Sequence, residues 1–363
     1  MGNVPNLRFK EFEGEWEKCK LGDLCNVLMC KRILASQTNT EEGVPFYKIG
    51  TIGNAPDAYI SKELFDDYKT KYNYPHKGEV MITCAGTVGK CVIYDGKDAY
   101  YQDSNIVWID NPSQCISNSF LYHLLAKVDW RKLNSTTIIR IYNDDLRNLK
   151  LSYPQIEEQK KISRLLSLLD ERIATQNKII EKLQSLIKGL AVTLTTKGKP
   201  NTTISQCLEC HSSTLQESEV SPNGLYKVFG ANGLVGYTDV PQMNGDSILV
   251  IKDGSGVGTA SYAQGKFSVI GTLNYLTVLG NNNLRYLYFA LSVFNFQSYK
   301  TGMAIPHIYF KDYGNAKIYC PSLTEQKRVA NMLDKMESKL FLEQELLASF
   351  NSQKRYLLGQ MFI

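Results

Sequence analysis

The sequence predicts an α+β (mixed α/β) protein in which two tandem domains of related fold are joined by two long helices that form an antiparallel coiled coil with pseudo-twofold symmetry. One observation is a run of roughly 40 residues with the apolar spacing of a coiled-coil helix. The others are a second such run 167 positions later and the recurrence of short strand and loop motifs before each run. At 363 residues the chain has room for about two domains and their connections.

The first long helix is predicted over residues 156–194, where apolar side chains recur in alternating steps of four and three. This spacing is the seam of a coiled coil, and Gln176 is a polar member of it. A continuous helix of this length would measure about 60 Å at about 1.5 Å per residue. That is more than one compact domain can cover, so we expect a partner helix. The predicted interface residues are Ile162, Leu166, Leu169, Ile173, Gln176, Ile180 and Leu183.

The partner helix is predicted near the end of the chain. Both long helices begin with the pattern Pro-x-x-x-Glu-Gln-Lys, at Pro154 and again at Pro321. Two unrelated amphipathic helices would not be expected to share this start, so we interpret the chain as two copies of a domain-then-helix unit. The predicted interface residues of the second helix are Val329, Leu333, Met336, Leu340, Glu343, Leu347 and Phe350.

The polar seam residue of each helix occupies the same place in the repeat, since Gln176 and Glu343 are 167 positions apart. Antiparallel pairing about a twofold axis is expected to set Gln176 opposite Leu340 and Ile173 opposite Glu343. Two polar side chains would then lie in neighbouring layers. A buried polar group in a seam fixes the register at some cost in stability.

The globular segments repeat more weakly than the helices. A turn and strand at 78–82 correspond to 245–249 at the spacing of 167, and the loop around Gly86 corresponds to 253–258. Asn105 is matched with Asn274. The predicted divisions are domain 1 over 1–153, a central long helix over 154–198, domain 2 over 199–320 and a C-terminal long helix over 321–363.

The net charge of +5 lies on the two long helices. Residues 1–153 hold 19 Lys+Arg and 19 Asp+Glu, and residues 201–320 hold seven of each. The excess comes from 154–200, with nine against five, and 321–363, with six against five. Any contact of the domains with nucleic acid must therefore depend on local patches.

The composition predicts a cytoplasmic protein that does not contact a membrane. There is no stretch of about 18 uninterrupted apolar residues. The first residues are polar and charged, unlike a signal peptide. Nine cysteines at irregular spacings form no disulfide framework and suit reduced thiols.

Two short motifs resemble ligand-binding motifs, but each lacks residues that binding would require. Residues 85–90 resemble the end of a phosphate-binding loop, but Cys84 and Cys91 stand where that motif needs glycine and Ser or Thr. A glycine turn between strands fits better. Cys207, with Cys210 and His211, matches a haem-attachment pattern and half of a zinc site, but no second close pair of ligands follows. We predict no metal site, no catalytic residue and no cofactor on this chain.

These features together resemble the specificity subunits of type I restriction-modification enzymes over essentially the whole chain. The opening Pro5-Asn6-Leu7-Arg8-Phe9 with Trp16 is similar to the start of that family. Phe229-Gly230-Ala231-Asn232-Gly233 is similar to its target-recognition-domain turn, and the starts at Pro154 and Pro321 are similar to its two repeated helix starts. Their order and duplication are more specific than any one of them.

The resemblance implies two target recognition domains, each binding one half of a split, asymmetric sequence in double-stranded DNA. It also implies that the helices form a spacer that docks two methyltransferase (M) subunits and restriction/translocase (R) subunits. S-adenosylmethionine is expected on the M subunits, and ATP and Mg on the R subunits. The chain itself is then non-catalytic.

DNA contacts are predicted at loop residues that are placed equivalently in the two copies, because glycine there lets the backbone approach a phosphate. The alternative for each is a buried sheet turn. Two other functions remain open: a coiled-coil scaffold that binds only protein, and a free-standing methyltransferase or nuclease. The candidate residues are Lys48, Thr83, Gly86, Lys90, Arg140, Lys227, Asn232, Lys252, Ser255 and His307.

Overall fold

The computed structural model describes residues 2–132 and 140–363. The chain forms two compact units. Unit 1 consists of Met1–Thr175 with Leu347–Ile363, and unit 2 of Gln176–Leu346. Each long helix contributes one half to each unit.

The first half of the chain forms nine strands and four short helices before the first long helix, within the residues described. The strands are β1 Glu17–Lys20, β2 Asn26–Leu28, β3 Val44–Tyr47, β4 Tyr59–Ile60, β5 Val80–Thr83, β6 Cys91–Ile93, β7 Tyr100–Tyr101, β8 Ile106–Asp110 and β9 Lys150–Tyr153. The helices are α1 Leu21–Leu24, α2 Lys62–Lys71, α3 Asn118–Lys127, α4 Asn143–Arg147 and the long α5 Ile156–Thr195.

The second half repeats this plan with a different set of edge strands. Its strands are β10 Thr202–Thr203, β11 Leu208–Ser212, β12 Tyr226–Gly230, β13 Gly233–Thr238, β14 Met243–Asn244, β15 Ser247–Ile251, β16 Ala260–Ala263, β17 Lys266–Val269, β18 Leu273–Val278 and β19 Lys317–Ile318. Its helices are α6 Ile204–Cys207, α7 Leu284–Ser292, α8 Phe310–Tyr313 and the long α9 Leu323–Met361.

Each unit is built on the same antiparallel sheet. Its order is β2-β8-β5-β6 in unit 1 and β11-β18-β15-β16 in unit 2. The central strands β5 and β15 are buried along their whole length, because both faces of the sheet are covered. A second, smaller sheet pairs β3 with β7, and β12 with β17, in parallel. This mixed architecture confirms the predicted fold class.

The register between the two copies differs by one residue from the predicted spacing of 167. Val80 of β5 packs in the core cluster that includes Ile162 of α5, and Ile248 of β15 packs in the cluster that includes Leu333 of α9. Val80 therefore corresponds to Ile248, 168 positions later, and not to Ser247. A slip of one residue would turn every side chain of the strand to the opposite face, so the core fixes the register.

The match of Asn105 with Asn274 is also corrected. The amide of Cys84 donates to the carbonyl of Asn105 (2.7 Å), and the amide of Lys252 donates to that of Thr272 (3.0 Å). Asn105 thus corresponds to Thr272. Insertions and deletions in the loops change the number of positions between equivalent residues, so no single spacing matches the two copies throughout.

The two long helices follow the predicted seam. Its members on α5 and α9 are buried or half-buried, whereas the positions between them are mostly exposed. In unit 1, Lys354 of α9 pairs with Asp170 of α5. In unit 2, Lys197, just beyond the end of α5, pairs with Glu325 of α9. Within each unit the two helices run antiparallel, as predicted.

The polar seam residues contact each other directly, which differs from the predicted neighbouring layers. Gln176 Nε2 donates to Glu343 Oε2 (2.6 Å) and to the Glu343 carbonyl (2.9 Å). The helices are therefore shifted by about one turn relative to the predicted pairing of Gln176 with Leu340.

A buried glutamine explains why both long helices begin with the same pattern. In unit 1, Gln159 Nε2 donates to the carbonyls of Pro154 (2.8 Å) and Cys115 (2.8 Å). Gln159 Oε1 accepts from the amide of Ser117 (2.7 Å), the residue that caps α3. The start of α5 is thereby joined to the start of α3.

Unit 2 repeats two of these three hydrogen bonds. Gln326 Nε2 donates to the carbonyl of Pro321 (2.8 Å), and Gln326 Oε1 accepts from the amide of Asn283 (2.8 Å), which caps α7. Both glutamine side chains are buried, so the bonds are made without competition from water. We call this arrangement the glutamine clamp: Gln159 with Ser117 in unit 1, and Gln326 with Asn283 in unit 2.

No helix among the residues described is long and apolar enough to cross a membrane.

Candidate nucleic-acid interface

In unit 1 the loop 84–90 leaves the end of β5 and is held by the last residue of that strand. The hydroxyl of Thr83 donates to the carbonyl of Thr87 and accepts from the amide of Lys90 (3.0 Å). Gly89 has φ +83°, and a Cβ there would lie 2.1 Å from Trp130 Cδ1. Only glycine permits this loop to close on the indole ring.

The same loop packs on a second loop, 48–53, that follows β3. The ammonium group of Lys90 donates to the carbonyl of Ile52 (2.6 Å). A Cβ on Gly86 would lie 2.7 Å from Ile49 Cδ1, so the two loops approach closely. Burial raises the pKa of the Cys84 thiol, at the base of the loop, to about 12 and keeps it neutral.

These contacts give two of the residues predicted to contact DNA a role within the protein. Thr83 is 0% exposed, and Lys90 uses its ammonium group within the protein. We assign both to holding the loops together. Gly86 is exposed, and Lys48 lies at the surface, where it pairs with Asp57 (3.1 Å).

Arg140 lies beside the base of the same loop. Its guanidinium group donates to the carbonyl of Ser104 (3.2 Å) and lies 5.9 Å from the ring of Tyr142. The amide of the next residue, Ile141, donates to the carbonyl of Cys84 (2.9 Å). Residues 133–139, which precede Arg140, lie outside the described residues.

An open cleft of about 650 Å³ lies next to the loop, between residues 86–90 and 126–131. Lys127 and Arg131 lie on its second wall. Burial lowers the pKa of Lys127, whose ammonium group donates to the carbonyl of Phe362 (3.1 Å). Arg131 is exposed beside the loop and pairs with Asp129 (3.5 Å).

The corresponding loop of unit 2, 252–258, has the same construction. The amide of Gly258 donates to the carbonyl of Ile251 (2.8 Å), and a Cβ on Gly258 would lie 2.7 Å from the Cβ of Phe296. Phe296 thus takes the place of Trp130. At the start of the loop, Lys252 pairs with Asp253 (2.8 Å).

His307 and Ser255 lie close to this loop. The amide of Ile308 donates to the carbonyl of Lys252 (2.9 Å), and His307 forms an isolated β-bridge with Asp253. Ser255 is exposed at the loop. The structure therefore brings Lys252, Ser255 and His307 into one neighbourhood.

The remaining two candidates lie on the smaller sheet of unit 2. Lys227 is exposed on β12, where it is paired with Tyr237 and Phe267. Asn232 is exposed in the turn between β12 and β13. The hydrogen bonds of the described residues do not join Lys227 or Asn232 to the group around Lys252.

The two loops are equivalent in backbone and different in chemistry. Thr83 corresponds to Ile251, because each begins its loop with the same hydrogen bond. The amide of Thr83 donates to the carbonyl of Lys90 (3.0 Å), and the amide of Ile251 donates to the carbonyl of Thr259 (3.0 Å). Lys90 therefore corresponds to Thr259, which has no ammonium group. The hydrogen bond from Lys90 to the carbonyl of Ile52 is thus specific to unit 1. One scaffold thus presents two different surfaces.

The aromatic residues that close the loops were absent from the sequence-based candidates. Trp130 and Phe296 each follow the helix after the sheet, and the loop glycines Gly89 and Gly258 approach them. The repeated glycines were the available signal, but only the fold identifies the ring that excludes a side chain.

The three residues of the motif Cys207, Cys210 and His211 contact different groups. The interaction between the neighbouring thiols of Cys207 and Cys320 lowers the pKa of Cys207 and raises that of Cys320. Burial raises the pKa of Cys210 to about 11. His211 Nε2 lies 2.9 Å from Thr277 Oγ1. In residues 2–132 and 140–363, no group of three or more His, Cys, Asp or Glu side chains is placed to hold a metal ion.

The two copies also appear in comparison with known proteins. A family model described as the type I restriction modification DNA specificity domain matches residues 13–185 and 207–351. These two matches cover most of the chain, one in each copy. The chain belongs to this family, the type I specificity subunits that the sequence resembles.

Curated relatives of this chain are also described as type I restriction enzyme specificity subunits. The chain is 46% identical over 192 residues to a putative type I restriction enzyme specificity subunit of Haemophilus influenzae, which covers 50% of the chain and 49% of the relative. It is 26% identical over 209 residues to a putative type I specificity subunit of Methanocaldococcus jannaschii, covering 54% and 49%. The chain thus spans about half the length of the curated relatives that it matches.

Solved structures share the fold over nearly the whole chain. A type I restriction-modification S subunit from M. genitalium has a TM-score of 0.68 at 18% identity and covers 99% of both chains. A structure concerning complex assembly and conformational transition of a type I system has a TM-score of 0.55 at 15% identity, covering 97% of this chain and 99% of the other. At these identities the likeness shows a common fold.

Proposed function

We propose that this chain is the DNA sequence-specificity subunit of a type I restriction-modification complex. Each recognition domain binds one half of a bipartite, asymmetric target in double-stranded DNA. The proposed domain boundaries remain 1–153 and 199–320, with spacers over 154–198 and 321–363. The subunit works in the cytoplasm, where its DNA is.

One observation carries this proposal: a single loop scaffold occurs twice with different exposed chemistry. The loops 84–90 and 252–258 leave equivalent strands and close on equivalent aromatic residues. Their side chains differ at matched positions, as two different half-sites require. One domain that contacts a few base pairs discriminates by about 1–3 kcal/mol per correct contact, and two linked domains multiply that discrimination.

The proposed contacts are the members of the predicted set other than Thr83, which is fully buried, and Lys90, whose ammonium group donates to the carbonyl of Ile52. Phosphate contacts position a protein on DNA, and base-edge contacts supply sequence discrimination. Lysine and arginine suit the first role, and Asn232, Ser255 and His307 suit the second. The proposed set comprises Lys48, Gly86, Arg140, Lys227, Asn232, Lys252, Ser255 and His307.

The proposed partners supply the chemistry. Two M subunits, which hold S-adenosylmethionine, dock on the spacer and methylate adenine, and R subunits use ATP and Mg to translocate and cleave DNA. The spacer surfaces beside the seam, from Ile162 to Leu183 and from Val329 to Phe350, would receive the M subunits. This chain orients those subunits and performs no bond-breaking step.

The test is duplex binding by the full chain with its M subunits, measured over a range of salt concentrations. Lys252→Ala and Lys227→Ala should weaken binding to all sequences, and each substitution that removes one lysine–phosphate pair should reduce the salt slope by about 1. Lys317→Ala, which removes an exposed lysine close to the start of α9, is the matched control. Unchanged slopes in both variants would remove these lysines from the interface.

Methylation mapping separates the proposal from a protein-only scaffold. Cells that lose this gene should lose methylation at one bipartite adenine motif and keep all others. If purified complex binds every duplex equally and the methylation pattern is unchanged, the chain is a scaffold without DNA readout.

A further inference from the structure

An apolar tip projects from unit 2 next to the loop 252–258. Residues 301–307 form a tight hairpin, in which Thr301 and His307 exchange backbone hydrogen bonds of 2.9 and 2.8 Å. At its end Met303 is fully exposed (106%) and Ile305 is 66% exposed. We call Met303 with Ile305 the apolar tip.

The hairpin that carries the tip is held in a defined conformation. Gly302 has φ +86°, and a Cβ there would lie 2.4 Å from the carbonyl oxygen of Ile305. His307 Nδ1 lies 3.2 Å from the same oxygen, and the amide of Gly254 donates to the carbonyl of Pro306 (2.9 Å). A tip that is already ordered loses little conformational freedom when it binds.

Along the sequence, the charges of residues 201–320 are unevenly distributed although they sum to zero, and the nearest carboxylate, that of Asp253, belongs to a residue bridged to His307 of the hairpin. Residues 254–311 contain no Asp or Glu and four Lys or Arg residues, of which Arg285 is paired with Asp334 and Glu337 of α9. Lys300 precedes the hairpin, Lys311 follows it, and His307 is part of it. A polyanion is the ligand that such a stretch would attract.

We propose that the apolar tip inserts as a wedge between two base pairs of duplex DNA, with Lys300 and Lys311 on the adjacent phosphates. This inference rests on the proposed DNA-binding function and names how unit 2 would contact its half-site. Methionine and isoleucine are among the side chains that proteins insert between base steps. The bases replace water around the exposed side chains, which favours insertion.

The wedge would contribute to sequence preference without a hydrogen bond to a base edge. Pyrimidine–purine steps such as TA and CA/TG unstack and kink most easily, so insertion costs least there. We therefore expect one such step within the half-site bound by unit 2. The corresponding segment of unit 1 includes residues 133–139, which lie outside the described residues, so the proposal concerns unit 2.

The experiment uses the full chain with its M subunits and a duplex selected from a random pool by the wild-type complex. 2-Aminopurine placed at successive positions reports unstacking as increased fluorescence. Wild type should show an increase at one step of one half-site. The double variant Met303→Ala with Ile305→Ala should lose that increase and bind about tenfold more weakly, or about 1.4 kcal/mol.

Two further variants separate the wedge from other effects. Met303→Leu keeps an apolar side chain and should restore both signals in large part. Val240→Ala shortens another exposed apolar residue of unit 2 (78% exposed) and should change neither. Since these side chains are outside the core, circular dichroism should be the same for all variants.

The outcomes distinguish this inference from the function on which it rests. If the wild-type complex binds no duplex selectively, the proposed function fails and the wedge fails with it. If it binds selectively, but no position shows unstacking and the double variant binds as tightly, the wedge is overturned and the DNA-specificity function stands. If the double variant binds DNA normally but loses its M subunits, the tip is a protein contact and the wedge is likewise overturned.

Discussion

His123 is fully buried in unit 1, on the face of α3 that contacts α5. Its Nε2 atom lies 3.4 Å from Ser167 Oγ, and its Nδ1 atom lies 4.0 Å from the carboxylate of Asp170. Burial lowers the pKa of His123 to about 4 and outweighs the opposite effect of Asp170, whose charge is shared with Lys354. The histidine is therefore neutral at neutral pH.

This lowered pKa predicts that unit 1 loses stability in mild acid. The unfolded chain takes up a proton near pH 6.5, but the folded chain does so only near pH 4. The stability that the neutral, buried His123 contributes to the folded state is present above about pH 6.5 and is lost as the pH falls toward 4. The loss should reach roughly 2 kcal/mol by pH 5. Denaturant unfolding at pH 7.5 and pH 5 measures it.

Matched variants isolate this residue. His123→Gln should reduce the difference between the two pH values, because glutamine does not titrate. His211→Gln, at a half-exposed position, should leave the difference as it is. An equal pH dependence in wild type and His123→Gln would exclude His123 as the source.

Single residues were the least predictable part of the candidate interface. Gly86 and Lys90 were chosen from one glycine-rich loop, yet Gly86 is exposed and Lys90 is bonded to Ile52. A lysine near glycines has the same appearance in the sequence whether it meets solvent or a carbonyl. The choice depends on loop 48–53, which is distant in the chain.

At the scale of elements, the glutamine clamp should stabilise the start of each long helix. Gln159→Ala leaves the amide of Ser117 and the carbonyl of Cys115 without these bonds in a buried place. The expected cost is about 1–3 kcal/mol for each unsatisfied group. Thermal unfolding compares it with Gln155→Ala, which removes an exposed glutamine four residues earlier. Equal losses in the two variants would show that the clamp adds nothing.

The pair Gln176 and Glu343 should be coupled. Gln176→Leu alone leaves a half-buried carboxylate without its donor and should destabilise the helix pair. The double change to leucine should be neutral or stabilising, while the register becomes less specific. A double-mutant cycle of unfolding free energies measures the coupling. Additive effects would mean that the 2.6 Å hydrogen bond has no energetic role.

The elements themselves were largely predictable. The period of the seam defines α5 and α9 because a coiled coil needs an uninterrupted apolar stripe. The match between β5 and β15 was wrong by one residue, because the sequence comparison paired Val80 with Ser247 and the structure pairs it with Ile248. Both strands are buried on both faces, so their sequences show no alternation of apolar and polar residues that would fix the register. Only the core clusters distinguish the two faces of such a strand.

At the scale of the whole molecule, the two recognition domains should be exchangeable. Replacing residues 201–320 with the second domain of another family member should change one half-site of the methylated sequence and leave the other unchanged. The reason is that each unit has its own core and its own glutamine clamp. Methylation mapping measures both half-sites at once, and a change in both would contradict independent recognition.

The glutamine clamp has a consequence for how such proteins diversify. The bonds common to both copies join the glutamine to main-chain atoms only, the amides of Ser117 and Asn283 and the carbonyls of Pro154 and Pro321. Every amino acid except proline supplies an amide, so mutation can alter the domain's side chains without altering the junction. A lineage can therefore change the exposed side chains of either domain by point mutation or recombination while the junction between that domain and its long helix is kept.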